Sequence, residues 1–233
     1  MTHQGVNAEE HLVEHYSALE NLKYDFRNYN LFNLVSRLVK GESVVDIGCG
    51  PASFLSILKA RGKSVAGVEP ARGMRELAEK LNPEIPVSLD LNLNEKVDTV
   101  TMLDVLEHIE DDSGQVKKIY SVLKSGGEFI FVVPANPFLH GLRDRQMGHY
   151  RRYSKKQISR LLTANGFKIK HLRFWNALGF FPYLISEKIL RKPLESNFRH
   201  KGSRALDLWF RWVENNFDFG FGLSIIGIAK KNG

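Results

Sequence analysis

Short apolar runs in this chain alternate with stretches whose apolar residues recur at helical spacing. Ser43–Ile47 runs apolar into Gly48-Cys-Gly50-Pro51 and predicts a buried strand entering a glycine turn. Phe54, Leu55 and Leu58 predict a helix over Pro51–Arg61, stopped by Gly62. Ser64–Val68 predicts a second strand, Met74–Leu81 a helix, Pro86–Leu89 a third strand and Val97–Leu103 a fourth. A helical stretch then runs to Lys124. Gly126-Gly127 ends it, and Glu128–Val133 is a fifth strand. Upstream, His11–Leu38 reads as helical with a break near Tyr29-Asn30.

Strands that are apolar on both faces and alternate with helices imply a parallel sheet covered on both sides. Past Pro134 the pattern changes. A helix over Lys155–Asn165 stops at Gly166, and Phe167–Phe174 alternates strictly, as a strand with one exposed face should. A helix around Ala205–Glu214 and a strand over Leu223–Ala229 follow. The expectation is an α/β fold with a mostly parallel seven-stranded sheet, an antiparallel edge, and a helical, apolar lid at about 175–215.

The 233 residues fit one domain over 1–233, large enough to bury a core. Residues 1–40 supply N-terminal helices, 41–133 a ligand-binding half and 134–233 a second half. Cys49 is the single cysteine, which excludes an intramolecular disulfide and a cysteine zinc site and suits a cytoplasmic compartment. The N-terminus lacks the pattern of a signal peptide. The longest apolar run, Ala177–Ile185, is too short to span a bilayer and contains Pro182. The net charge is +7, yet between Pro134 and Lys201 there are 15 Lys+Arg against 3 Asp+Glu. That local excess suggests an anionic partner or a solvated basic surface.

The glycine turn narrows the ligand. A dinucleotide fingerprint needs a third glycine at Ser53, and a carboxylate at Asp46 would repel a pyrophosphate. Glu69, about 20 residues on, can hold ribose hydroxyls. A ligand with a ribose and positive charge fits, and S-adenosyl-L-methionine is one. Val44–Gly50, with Glu69, Asp90 and Leu103-Asp-Val-Leu-Glu-His-Ile109, resembles the class I S-adenosylmethionine-dependent methyltransferases. The similarity is to the broad branch that includes the ubiquinone-biosynthesis O-methyltransferases, over roughly Tyr24–Gly166. It implies a Rossmann-like sheet with the cofactor at the strand C-termini. By that resemblance Gly48, Cys49 and Gly50 line the methionine portion, Asp46 orients the turn, and Glu69 with Pro70 meets the ribose. Asp90 and the Leu91 amide face the adenine, Leu103 lies near the methionyl group, and Arg27 meets the cofactor carboxylate. The family's glycine at position 52 is Ala here.

Methyl transfer needs an aligned acceptor and a proton acceptor. His108, with an ordinary pKa near 6.5, and His149 are the candidate catalytic residues. Asp104-x-x-Glu107 reads first as a variant capping box. No metal is assigned. The alternative follows relatives that place a divalent ion on an acid-x-x-Glu-His arrangement plus a later His, here Asp104, Glu107, His108 and His149. Gly148-His-Tyr-Arg-Arg-Tyr153 resembles an acceptor lid block of this branch, and Arg151, Arg152 and Tyr153 are expected to grip an anionic group and cover a ring. The aromatic run near Trp175–Ile185, beside Lys188, Arg191 and Lys192, suits a hydrophobic acceptor pocket or peripheral contact with an anionic membrane. The preferred acceptor is small or lipid-linked, anionic and methylated on oxygen. An RNA methyltransferase, or an inactive cofactor-binding interaction protein, is the alternative.

Overall fold

The computed structural model describes residues 26–190 and 204–232. The predicted helix upstream of 26, and Arg191 and Lys192, lie outside the described residues. Helix α1 (Phe26–Leu38) runs unbroken through Tyr29-Asn30, against the expected interruption, because Asn30 turns its amide onto the Phe26 carbonyl within the helix. Strand β1 (Ser43–Ile47) leads through the glycine turn into α2 (Ser53–Lys59). Then come β2 (Ser64–Val68), α3 (Arg72–Leu81), a two-residue β3 (Val87–Ser88) and β4 (Val97–Leu103). Helix α4 (Asp112–Val122) passes directly into β5 (Leu123–Pro134). The predicted glycine stop is inside this strand, where its pairing with β4 shifts register near Val97.

The second half holds α5 (Leu142–Gln146), α6 (Lys155–Ala164), β6 (Phe167–Trp175), α7 (Phe180–Leu184, continued as a π-helical turn to Leu190), α8 (Arg204–Trp209, likewise extended to Glu214) and β7 (Ser224–Lys231). The seven strands lie in the order β3-β2-β1-β4-β5-β7-β6, parallel through β5. Strand β7 runs antiparallel between β5 and β6. The last strand is therefore interior and β6 is the edge. The strict alternation expected in β6 breaks at a register shift between Ile169 and His171.

Alternate residues of each central strand enter opposite cores, as a pleat requires. Phe129, Phe131 and Val133 pack with Val116 and Ile119 of α4 and Ile158 and Leu162 of α6. Ile130 and Val132 pack on the other face with Leu31, Val35, Phe54, Leu58 and Phe210. Both faces are covered, and in sheets of this kind ligands bind at the C-terminal ends of the strands, where β1, β2 and β4 end together.

Candidate active site

The turn after β1 is built from residues that tolerate positive φ. Gly48 has φ +72°, and a Cβ there would stand 2.5 Å from Val105. Gly50 has φ +52°, and a Cβ there would meet only the Met74 methyl, at an ordinary contact distance of 3.9 Å. Ala52 also sits in the left-handed region at φ 61°, fully buried, where the family's glycine would carry no strain. The Gly48 and Cys49 amides donate to the Val68 carbonyl, locking the turn onto the end of β2. Glu69 accepts from the Gly50 amide at 2.9 Å on one oxygen and from the Ala71 amide at 3.0 Å on the other. The carboxylate is thus fixed with lone pairs still free for two hydroxyls. Pro70 follows it, exposed, and Asp90 and Leu91 lie beyond the end of β3.

Asp46 is 3% exposed and accepts from Thr101 Oγ1 at 2.6 Å. Burial, with Glu69 adding, pushes its pKa up to about 7 despite that hydrogen bond. The Cys49 thiol is buried and pushed far above its ordinary value, so it serves as packing.

At the end of β4 the capping-box expectation fails. Asp104 adopts φ 54° and its carboxylate pairs with Arg27 at 2.7 Å. Arg27 also reaches Ser224 and lies over the Trp175 ring. The carboxylate that Arg27 meets here is therefore Asp104's. The cap of α4 is Asp111, which accepts from the Gly114 amide. Glu107 instead points inward, 1% exposed, and its Oε2 has no partner. Burial first, and then Asp104, hold its pKa well above the usual carboxylate range.

Glu107, His108 and His149 converge, with one ligand atom from each within 4.8 Å of the others. The two imidazoles meet edge to face at 4.6 Å. His108 departs from the expected poise near 6.5: the protein packed around its inner side, and then the neighbouring His149, lower its pKa to about 4. A carboxylate with an orphaned oxygen and two imidazoles is a chemically suitable donor set for a divalent cation. The Tyr150 amide donates to the Glu107 carbonyl and holds the His149 turn against this cluster.

The expected arginine grip is not what forms. Arg152 is 7% exposed. Its Nε donates to both Asp144 oxygens at 2.8 and 2.9 Å, its Nη1 to the Ala135 carbonyl and its Nη2 to the Tyr183 hydroxyl at 2.7 Å. Arg151 pairs with Asp112 at 2.7 Å and donates to the Glu110 carbonyl. Tyr153 is 3% exposed and its hydroxyl donates to Asp112. Arg152 ties Tyr183 of the lid to the segment after β5, and Tyr153 ties that segment to the start of α4. Asp144 and Tyr183 are the residues the sequence pattern did not single out. The available signal was an acid between Arg143 and Arg145, in a segment with only 3 acids.

In the second half, rings approach one another in series. Phe138–Phe180, Phe180–Phe181, Phe181–Phe221, Phe221–Phe219 and Phe219–Trp209 have centroids 5.3–6.5 Å apart. Phe138 and Phe181 are 60% and 56% exposed, and Ile189 is 69% exposed. No helix among the described residues is long and apolar enough to cross a membrane.

A methyltransferase-domain family model matches residues 21–172. The chain is 29% identical over 108 residues to the ubiquinone biosynthesis O-methyltransferase of Pseudomonas savastanoi pv. phaseolicola, which covers 42% of this chain and 47% of that protein. The chain thus spans about half the length of the curated relatives it matches. In fold it is similar to a SAM-dependent methyltransferase from Thermotoga maritima (TM-score 0.63, 22% identity, 97% and 99% of the two chains covered). It is also similar to Haemonchus contortus phosphoethanolamine N-methyltransferase 2 in complex with S-adenosyl-L-methionine (TM-score 0.59, 21% identity, 88% and 53% covered). With the match across most of the sheet and the glycine turn, the buried acid after β2 and the β4 terminus in their places, the chain belongs to the class I S-adenosylmethionine-dependent methyltransferases.

Proposed function

We propose that the protein transfers the methyl group of S-adenosyl-L-methionine to a hydroxyl oxygen of a small or lipid-linked acceptor with an apolar body. The observation that carries this reading is the Glu107–His108–His149 cluster, which follows the C-terminal end of β4 in the chain and is closed by the Tyr150 amide on the Glu107 carbonyl. The turn at Gly48–Gly50 and the Glu69 carboxylate supply a backbone cradle and a diol acceptor for the cofactor. The uncrowded backbone at Gly50 and the free lone pairs on Glu69 suit those groups.

In the transfer, the acceptor oxygen forms a bond to the methyl carbon as the carbon–sulfur bond breaks. The sulfonium leaves as a neutral thioether, and the hydroxyl proton passes to a base. His149 and the unprotonated His108 are placed to take it. In the alternative role, a divalent cation held by Glu107, His108 and His149 would lower the pKa of the acceptor hydroxyl, and the ligating imidazoles would then not be the base. The apolar strip excludes water from the displacement.

Oxygen as the methylated atom rests on the name of the Pseudomonas relative. The anionic acceptor expected from the arginine pair loses its support, because Arg151 and Arg152 are bonded within the protein. RNA as the acceptor, which rested on the basic excess of 134–201, is weakened as far as Arg151, Arg152, Lys155 and Lys170 are paired within the protein. Exposed Phe181, Ile185 and Ile189, with Lys188 and Arg145 beside them, favour peripheral contact with an anionic lipid surface.

The test offers labelled cofactor and an alkyl-chain catechol, with and without anionic vesicles. Label on a catechol oxygen, reduced by about 10²-fold in His149→Ala, supports the reading. Tight cofactor binding with no label on catechol, lipid or RNA leaves an inactive binding protein.

A further inference from the structure

His149 is held by more than packing. Its Nδ1 lies 2.9 Å from Asp144 Oδ1, and its own amide donates to the Asp144 carbonyl at 2.8 Å. Every other hydrogen bond to that carboxylate comes from a donor. Arg152 Nε reaches both oxygens, and Oδ2 also takes the Gly141 amide at 2.9 Å and the Tyr183 hydroxyl at 3.1 Å. The side chain is 1% exposed, so no water completes the set. Four contacts from fixed donors on two oxygens, with the imidazole as the fifth partner, leave no place for a proton on Asp144. An ionised carboxylate only accepts, so the imidazole must donate from Nδ1. The remaining nitrogen, Nε2, then carries the lone pair.

We propose that Asp144 is a positioning residue that fixes His149 in the Nδ1–H form and so presents a bare Nε2 to Glu107 and His108. This rests on the reading of the cluster as the methyl-transfer site. A bare Nε2 can take a hydroxyl proton or ligate a cation; an Nε2–H can do neither. Arg152 pairs with the same carboxylate, so Asp144 holds a cation and the imidazole at once. The Tyr183 hydroxyl both accepts from Arg152 and donates to Asp144, and Tyr183 belongs to α7. The lid helix is therefore wired to the imidazole through one carboxylate. When α7 is seated, every lone pair that could draw Asp144 away from His149 is taken up.

The test reads the imidazole directly. In uniformly ¹⁵N-labelled protein at neutral pH, long-range ¹H–¹⁵N correlation spectra report which ring nitrogen of His149 bears the proton, with assignment by loss of signals in His149→Gln. The expected wild-type pattern is Nδ1 protonated and Nε2 bare. Asp144→Asn can donate its amide to Nδ1, so the proton should move to Nε2. Cofactor affinity by calorimetry should stay within about twofold, while methyl transfer to the alkyl catechol falls about 10²-fold. A wild-type His149 protonated mainly on Nε2 overturns the proposal, and so does an unchanged tautomer in a folded Asp144→Asn protein. If that variant does not fold, the wild-type spectrum decides alone. Failure of wild-type protein to methylate any acceptor tells against the functional reading without touching the tautomer.

Discussion

The half that holds the glycine turn and the half that carries the lid differ in how they treat charge. In residues 41–133 the buried acids stand nearly alone. Asp46 has one hydroxyl donor and Glu69 two backbone amides, and no cation pairs with either. Such a site waits for a cationic ligand. In the second half two cations are buried, Arg152 and Arg173, and each is already satisfied. Arg152 is tied to Asp144, while Arg173 donates to the carbonyls of Phe174, Glu214, Asn215 and Phe217. Part of the basic excess of that segment is therefore structural. Several of its counterions lie outside the counted stretch: Asp112 for Arg151, Glu128 for Lys170 and Asp218 for Lys155. A charge count along a segment thus says little about surface potential until the fold has chosen the pairs.

The largest test of this contrast is Arg152→Ala. Removing one partner of a buried pair strands Asp144, and urea unfolding should show a loss of about 3–5 kcal/mol. Arg151→Ala, at a part-exposed pair, should cost under about 1 kcal/mol. An Arg152→Ala protein as stable as wild type would return that arginine to the acceptor. Next in size is Glu69→Ala. Two hydrogen bonds to a charged group, at about 1.5–3 kcal/mol each, support at least about tenfold weaker cofactor binding by calorimetry.

The waiting acid also makes a pH prediction. Folded Asp46 titrates at about 7 against its ordinary 3.8. Between those values the folded chain binds more protons than the unfolded one, so stability of the free protein falls as pH rises through that window. A cationic ligand favours the ionised form, so S-adenosylmethionine should bind more tightly as pH rises through neutrality. Asp46→Asn should flatten both profiles in thermal melts and calorimetry. The smallest effect is expected for Ala52→Gly. Relief of a left-handed residue, roughly 1–2 kcal/mol, is offset by a lost buried methyl of about 0.8 and by a freer unfolded chain at about 0.4–1. Tm should move little in either direction.

The first half was legible in the chain because its rules are local. Strands Ser43–Ile47, Ser64–Val68 and Val97–Leu103 fall on their apolar runs, and the turn after β1 needs glycines that can be read directly. The acids after β4 were read as a cap because only spacing was visible. Their partners, Arg27 far upstream and the His149 turn downstream, are set by tertiary folding. The same holds for Arg152 and Tyr153, whose bonds to Asp144, Tyr183 and Asp112 span sequence separations that periodicity cannot register. The ring series along the lid was visible as an apolar run, but which of its side chains stay exposed was not.

The insertion of β7 between β5 and β6 bears on how the molecule is made. On the ribosome, β5 emerges without its neighbour, and the roughly 90 residues before β7 take on the order of 5–20 s to synthesise. Through that interval the backbone donors and acceptors along Glu128–Pro134 have no strand to pair with on one side, and its side chains are strongly apolar. An open, apolar strand edge is a template for joining another chain. The nascent protein therefore depends on shielding by chaperones until β7 arrives, and β6 can join the sheet only through it.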